Sequence, residues 1–287
     1  MPNNHKKTVV ITIPLYKSEL TENEKCSLIQ CIAVLKKHPI VLVCGKNLDI
    51  SKYEEIFKSH KKEFSCERFD DSNFKNIDSY SKFCLSDFFY ERFTNYKYLL
   101  IYQLEAFVFK DELEDWCAKD FDYIGAPWNL EVLEKMTHTK FECGGNGGLS
   151  LRKIETMLKL MKFNLKNKTI YTRKSYKDIF NLYKKRKPIS NLLNTPKHIY
   201  IYIFQNFIFK EFVTNEDLVI AKFAKKFIND FKFAPKEEAA KFSIESFCEY
   251  FYELNRKTLP FGSHNYFSHL DFWEKVRSEN IKKVQIT

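Results

Sequence analysis

Glycine is scarce in this chain, with 7 in 287 residues, where average usage would give roughly 20. Gly125, Gly144, Gly145, Gly147 and Gly148 fall in one short stretch, and Gly262 sits in Pro260-Phe-Gly-Ser-His264. So sparing a use keeps glycine for places where the backbone turns sharply or is closely approached. Apolar runs fall well short of the roughly 20 residues a helical membrane span needs, which argues against an integral membrane protein. The 8 cysteines show no Cys-x-x-Cys pair. Most lie in apolar runs such as Ile40-Val-Leu-Val-Cys44, which points to buried, reduced thiols rather than zinc or disulfides. The first strand is not followed by G-x-G-x-x-G, and neither a G-K-S/T phosphate loop nor a G-x-S-x-G nucleophile elbow is found. The N-terminus runs from Met-Pro-Asn-Asn-His-Lys-Lys straight into a strand-like segment, unlike a signal peptide, so the chain reads as cytosolic.

What is present is 44% hydrophobic residues and a net charge of +10. That hydrophobic fraction suffices for a core and argues against wholesale disorder. The charge suits nucleic acid, an anionic membrane or an acidic substrate, but no nucleic-acid motif accompanies it. Residues 8–14 read as a buried strand, residues 19–37 carry apolar side chains at helical spacing, and residues 39–44 read as a second buried strand. Strand, helix, strand at this length is a βαβ unit of a parallel sheet. The pattern repeats with a weak strand at 65–69, a helix expected over 77–93 and a very apolar strand at 98–102. Short strands at 122–126 and 148–152 follow, separated by a polar loop. The first 150 residues or so therefore predict a doubly wound sheet. Residues 153–212 differ: a basic segment including Lys184-Lys-Arg-Lys187 precedes an aromatic one at 199–209. It reads either as an insertion touching an anionic membrane surface or as a solvated helix face followed by ordinary core.

In open α/β sheets, ligands gather at the carboxyl ends of strands. Gln103-Leu-Glu105 follows the apolar 98–102 strand, where an acid is either paired with a lysine or placed to bind a hard cation such as Mg²⁺ or Mn²⁺. Cys143-Gly-Gly-Asn-Gly-Gly-Leu-Ser-Leu-Arg152 gathers four glycines around Asn146, as a ligand-approach loop or a hairpin turn would. Thr214-Asn-Glu216-Asp217 opens a helical pattern; it matches a capping box, and an acid at a helix start facing a cleft can also serve as a general base. His264 beside Gly262 is a transition-metal ligand or a hydrogen-bonded structural residue.

Taken together, the segments at 98–109, Asp122-Tyr-Ile-Gly-Ala-Pro-Trp128, Gly145-Asn-Gly-Gly-Leu-Ser-Leu-Arg152 and Leu259-Pro-Phe-Gly-Ser-His264 resemble a bacterial glycosyltransferase-like family catalogued as DUF5672. Ile11-Thr-Ile-Pro-Leu-Tyr16 and Asn215-Glu-Asp217 are similar to it as well. Residues 165–210 stand outside the resemblance as a variable basic insertion.

The resemblance implies one GT-A-like (Rossmann-like) α/β domain over 1–287. Its central sheet would be mostly parallel, with a nucleotide-binding half at about 1–125 and an acceptor half at about 126–287. It also implies a nucleotide-sugar donor, UDP- or GDP-linked, held by Pro14, Tyr16, Gln103, Glu105, Asn146, Gly147 and Gly148. Gln103-Leu-Glu105 would stand where such enzymes carry Asp-x-Asp, with Glu105 and His264 as ligands to Mn²⁺ or Mg²⁺. Glu216 or Asp217 would be the general base. The implied acceptor is a surface polysaccharide, lipopolysaccharide or lipid-linked glycan, met by a cytoplasmic enzyme peripherally on the membrane. The alternative is a catalytically silent nucleotide- or sugar-binding module of the same fold.

Overall fold

The computed structural model describes residues 6–137, 141–167 and 215–286. The first part runs β1 (Lys7–Leu15), α1 (Glu22–Val34), β2 (Ile40–Gly45), α2 (Ser51–Ser59) and β3 (Ser65–Phe69). It continues through α3 (Ile77–Cys84), α4 (Asp87–Glu91), β4 (Tyr96–Tyr102), β5 (Phe107–Val108), α5 (Leu113–Ala118) and β6 (Tyr123–Pro127). Next come α6 (Leu130–Thr137), β7 (Gly145–Lys153) and α7 (Ile154–Asn167). The C-terminal part holds α8 (Glu216–Phe227), α9 (Lys236–Phe242), β8 (Ser243–Ile244), α10 (Cys248–Leu254), β9 (Gly262–Ser263) and α11 (Leu270–Ile286). The expected basic insertion, with residues 184–187, falls almost wholly outside the described residues, as does Thr214. Among the described residues no helix is long and apolar enough to cross a membrane.

Six strands form the central sheet in the order β3-β2-β1-β4-β7-β6. The first four are parallel, and β7 is antiparallel to both of its neighbours. Helices cover both faces, which is why β1, β2 and β4 read as continuous apolar runs instead of alternating ones. Val9, Ile11, Ile13 and Leu100 pack on one face with Leu28, Phe57 and Trp116. Val10, Val41, Leu99 and Ile101 pack on the other with Phe83, Phe89, Met157 and Ile220. A small sheet of order β5-β9-β8 lies beside the main one. Phe107, Ile244, Phe251, Tyr266 and Trp273 pack together in a third cluster there.

Several elements differ from the sequence expectation. Helix α1 starts at Glu22 because Thr21 caps it: the Thr21 hydroxyl accepts from the Glu24 N–H, and the Glu24 carboxylate accepts from the Thr21 N–H. The single helix expected over 77–93 is two, parted where Ser86 turns extended (φ −105°, ψ 148°) and its hydroxyl donates to the Phe83 carbonyl. The break lets Phe83 and Phe89 pack 4.8 Å apart, centroid to centroid. Helix α2, between β2 and β3, was not anticipated. All eight cysteines are free thiols, five of them buried.

The glycine-rich run is not a loop before a short strand; most of it is strand β7 itself. The need for glycine is steric. A Cβ at Gly125 in β6 would lie 2.1 Å from the Asn146 backbone oxygen of β7. Gly125→Ala must therefore push the two strands apart, and we expect a loss of about 1–3 kcal/mol, as for other overpacking changes. Chemical denaturation checks this: an unchanged midpoint would mean that the strands can part freely.

Candidate functional site

The strand ends determine what meets what. Strands β1 and β4 run parallel, so Pro14, Leu15 and Tyr16 leave the sheet at the same edge as Gln103 and Glu105. Strand β7 runs the other way, so its first residues, Asn146, Gly147 and Gly148, lie at that edge too. The Gln103 N–H donates to the Gly148 carbonyl at 2.8 Å, locking the end of β4 against the start of β7. Helix α8 begins above this edge with Glu216 and Asp217 in its first turn, where the helix dipole favours negative charge. His264 follows β9, which pairs with β5, the strand just after Glu105; the Tyr266 N–H donates to the Glu105 carbonyl at 3.0 Å.

The result is a cleft of about 540 Å³ lined by Pro14, Tyr16, Gln103, Glu105, Asn146, Gly147, Gly148, Glu216, Asp217 and His264. Thus every residue expected to hold the donor or a metal, or to act as base, lines one concavity, together with side chains that were not singled out, Lys17, Tyr53, Phe74 and Lys75 among them. The roles expected for these residues are a separate matter from their meeting. A cleft of similar volume on another part of the surface, near Trp116 and Arg256, contains none of them.

Two charge clusters share the cleft. In the first, the Arg152 guanidinium is wholly buried and ion-paired to Glu216 at 2.9 Å. It donates also to the Ser150 hydroxyl (3.0 Å) and the Tyr90 hydroxyl (3.1 Å), and lies over the Tyr123 ring. Among the described residues no cation is ion-paired with Asp217. Its carboxylate accepts from the Gly147 N–H at 3.0 Å and the Leu218 N–H at 2.7 Å. Burial, and then the neighbouring Glu216 charge, push its pKa up to about 7. The sequence expectation left Glu216 and Asp217 equivalent; the structure separates them. It also makes Asn215 the N-cap of α8 in place of the expected Thr214.

In the second cluster, His264 is bracketed by acids. Its Nε2 lies 2.9 Å from Glu105 Oε1 and 3.3 Å from Gln103 Oε1, and its Nδ1 lies 3.0 Å from Glu245 Oε1. Burial alone would lower the imidazole pKa, but hydrogen bonds with Glu105 and Glu245 outweigh it and hold the pKa up at about 9. The same bond with His264 keeps the Glu105 carboxyl below its usual range.

The two cleft glycines are hemmed in by these clusters. A Cβ at Gly147 would lie 2.3 Å from Glu216 Oε1, and one at Gly148 would lie 2.1 Å from His264 Nε2 and 2.4 Å from Gln103 Oε1. The space a Cβ would occupy at each is filled by the protein's own side chains, while both residues line the cleft.

Among the described residues no group of three or more His, Cys, Asp and Glu side chains is set to hold a metal. Glu105, Gln103 and His264 are the side chains whose chemistry could hold a divalent cation. Glu105 and Gln103 oxygens converge on one imidazole nitrogen, and such ions bind through one or two carboxylates when substrate phosphates and water complete the shell.

A largely parallel α/β sheet with a polar cleft at its carboxyl edge defines a ligand-binding fold of the open-sheet type. The model of the family described as protein of unknown function (DUF5672) matches residues 63–264, and the chain belongs to that family. No curated protein matches its sequence. Mouse xyloside xylosyltransferase 1, in apo form, is among the similar solved structures, at 9% identity and a TM-score of 0.48, with 90% of this chain and 97% of that one covered. Core-mannan synthase A from Aspergillus fumigatus, in a Mn/GDP form, gives 9% identity, a TM-score of 0.39, and coverage of 55% and 63%. The bifunctional glycosyltransferase WbbM, in apo form, gives 13%, 0.45, and 92% and 46%. This chain thus spans under two thirds of the length of the last two.

Proposed function

We propose that the chain is a glycosyltransferase of GT-A type, moving a sugar from a UDP- or GDP-linked donor to a hydroxyl of a surface glycan, such as a lipopolysaccharide, capsular or lipid-linked acceptor. The observation that carries this reading is the meeting of the strand ends at Pro14–Tyr16, the Glu105–His264 pair and the Glu216–Asp217 pair in one cleft. A nucleotide suits the carboxyl ends of β1 and β4, with Tyr16 and Lys17 at its side. Glu105 and His264 would hold Mn²⁺ or Mg²⁺, with Gln103 alongside. Such a cation stabilises the charge that develops on a departing nucleoside diphosphate.

The chain's own residues account for the rest. Arg152 neutralises Glu216, so Asp217 is the acid left to take a proton from the acceptor hydroxyl. The backbone N–H groups of Gly147 and Leu218 keep its two oxygens oriented while it does so. The peripheral membrane contact belongs to this proposal as well, since it rests on the basic stretch outside the described residues.

A second reading, a silent nucleotide- or sugar-binding module, is favoured by one observation: His264 is already satisfied by two carboxylates. Calorimetry against UDP- and GDP-sugars, with and without Mn²⁺, separates the readings when coupled to a transfer assay. We expect Mn²⁺-dependent binding of one donor, abolished in Glu105→Ala and in His264→Ala. Normal binding in both variants would remove the cation site, and binding without any transfer or donor hydrolysis would leave the silent module.

A further inference from the structure

We infer that Glu245 is a positioning residue that selects which face of His264 and which end of Asn146 are turned to the cleft. This rests on the proposed donor site but assigns a residue that site did not include. Glu245 directly follows β8, and its side chain is 21% exposed, against 7% for His264. A single oxygen, Glu245 Oε1, accepts from two side chains: Asn146 Nδ2 at 2.8 Å and His264 Nδ1 at 3.0 Å.

Each of these bonds fixes an otherwise ambiguous group. An ionised carboxylate oxygen only accepts, so the imidazole nitrogen facing it carries the hydrogen. With Nδ1–H held by Glu245, the ring presents Nε2 to Glu105 and Gln103, 2.9 and 3.3 Å away. By the same rule Nε2 carries a hydrogen toward Glu105 in the metal-free protein, so what Glu245 fixes is the orientation of the ring. A carboxylate behind a histidine in this way sets both ring orientation and ligand basicity at metal sites. For Asn146, donation from Nδ2 to Glu245 turns Oδ1 the other way, where it accepts the Gly148 N–H at 2.6 Å. That bond helps to hold Gly148, and Gly148 has no spare room: a Cβ there would meet His264 and Gln103. Glu245 thus ties β7, β8 and the residue after β9 into one rigid wall of the cleft, which is how such sites keep their geometry.

The test compares wild type, Glu245→Ala and Glu245→Gln, each shown to be folded by thermal melting. Two readouts are used: Mn²⁺ titration by calorimetry in the presence of UDP or GDP, and the ¹⁵N-resolved His264 Nδ1–H resonance in the protein without metal. Glu245→Ala should weaken Mn²⁺ affinity about 10–100-fold and lose the slowly exchanging Nδ1–H signal. Glu245→Gln retains an acceptor oxygen and should keep the signal and recover most of the affinity. A protected Nδ1–H in Glu245→Ala, with Mn²⁺ affinity within twofold of wild type, overturns the assignment. If wild type itself takes no Mn²⁺ with either nucleotide, the cation part of the proposed function falls, and the ring N–H comparison alone decides whether Glu245 orients His264.

Discussion

Replacing Arg152 with alanine should cost about 3–5 kcal/mol of unfolding free energy, the usual penalty for removing one partner of a buried ion pair. The guanidinium is fully buried and serves five groups at once: the Glu216 carboxylate, the Ser150 and Tyr90 hydroxyls, the Gly147 carbonyl and the Tyr123 ring. Without it Glu216, only 7% exposed, has no ion-pair partner among the described residues, and both hydroxyls lose a donor. The pair itself need not be stabilising relative to an apolar pair of similar volume. Arg152→Met combined with Glu216→Leu should therefore recover much of the loss, the signature of two coupled sites. Urea unfolding of the two single variants and the double variant checks both statements. A loss under 1 kcal/mol in Arg152→Ala would show that water reaches Glu216 and that the pair is not a structural clamp.

The second large effect is kinetic. Asp217→Asn should lower the turnover rate about 10²–10⁴-fold, the range for a positioned general base, while donor binding stays near wild type. The carboxyl is pushed up to about 7 by burial and by Glu216. Only its ionised form takes a proton, so the wild-type rate should rise as pH rises through about 7 and then level off, and Asp217→Asn should lack this limb. Stability runs the opposite way. The unfolded chain ionises an aspartate near 3.9, whereas the folded protein keeps this one neutral to higher pH. Its contribution to stability is therefore full below about pH 3.9 and is lost as pH rises through about 7. Denaturation midpoints of wild type and Asp217→Asn across that range should diverge accordingly. A flat rate profile in wild type, or full turnover in Asp217→Asn, would take the proton-accepting role away from Asp217.

Much of this arrangement was legible in the chain because parallel strands and their helices leave periodic traces. The βαβ start follows from apolar spacing, and Glu105 stands out as an acid at the end of a very apolar strand. What stayed hidden depends on partners far away in sequence. Arg152 looks like the ordinary end of a strand until the fold brings Glu216, 64 residues on, against it. Burial of a lone arginine in an apolar strand was the available signal, since such a charge needs a partner. Glu245 offered none, for it follows a strand of two residues with no periodicity to read. The reversed direction of β7 was equally silent, because an apolar run does not encode which way its strand points. That direction is why the glycines, which pair into the sheet as the start of β7, lie at the carboxyl edge of β4.

The placement of Gly147 and Gly148 in a strand has a further consequence. Successive strand residues face opposite sides of a sheet, so Gly147 looks toward Glu216 and Arg152 while Gly148 looks toward His264 and Gln103. The strand is a partition one backbone thick, with the acid pair on one side and the histidine on the other. The acid pair and the histidine, which would attract one another if they shared a chamber, are kept apart by the main chain, yet both reach the same opening. Slipping β7 by a single residue would trade the two chambers. A one-residue insertion or deletion inside β7, between Gly147 and Arg152, should accordingly be far more damaging than one of equal size in the connection from β6 to β7.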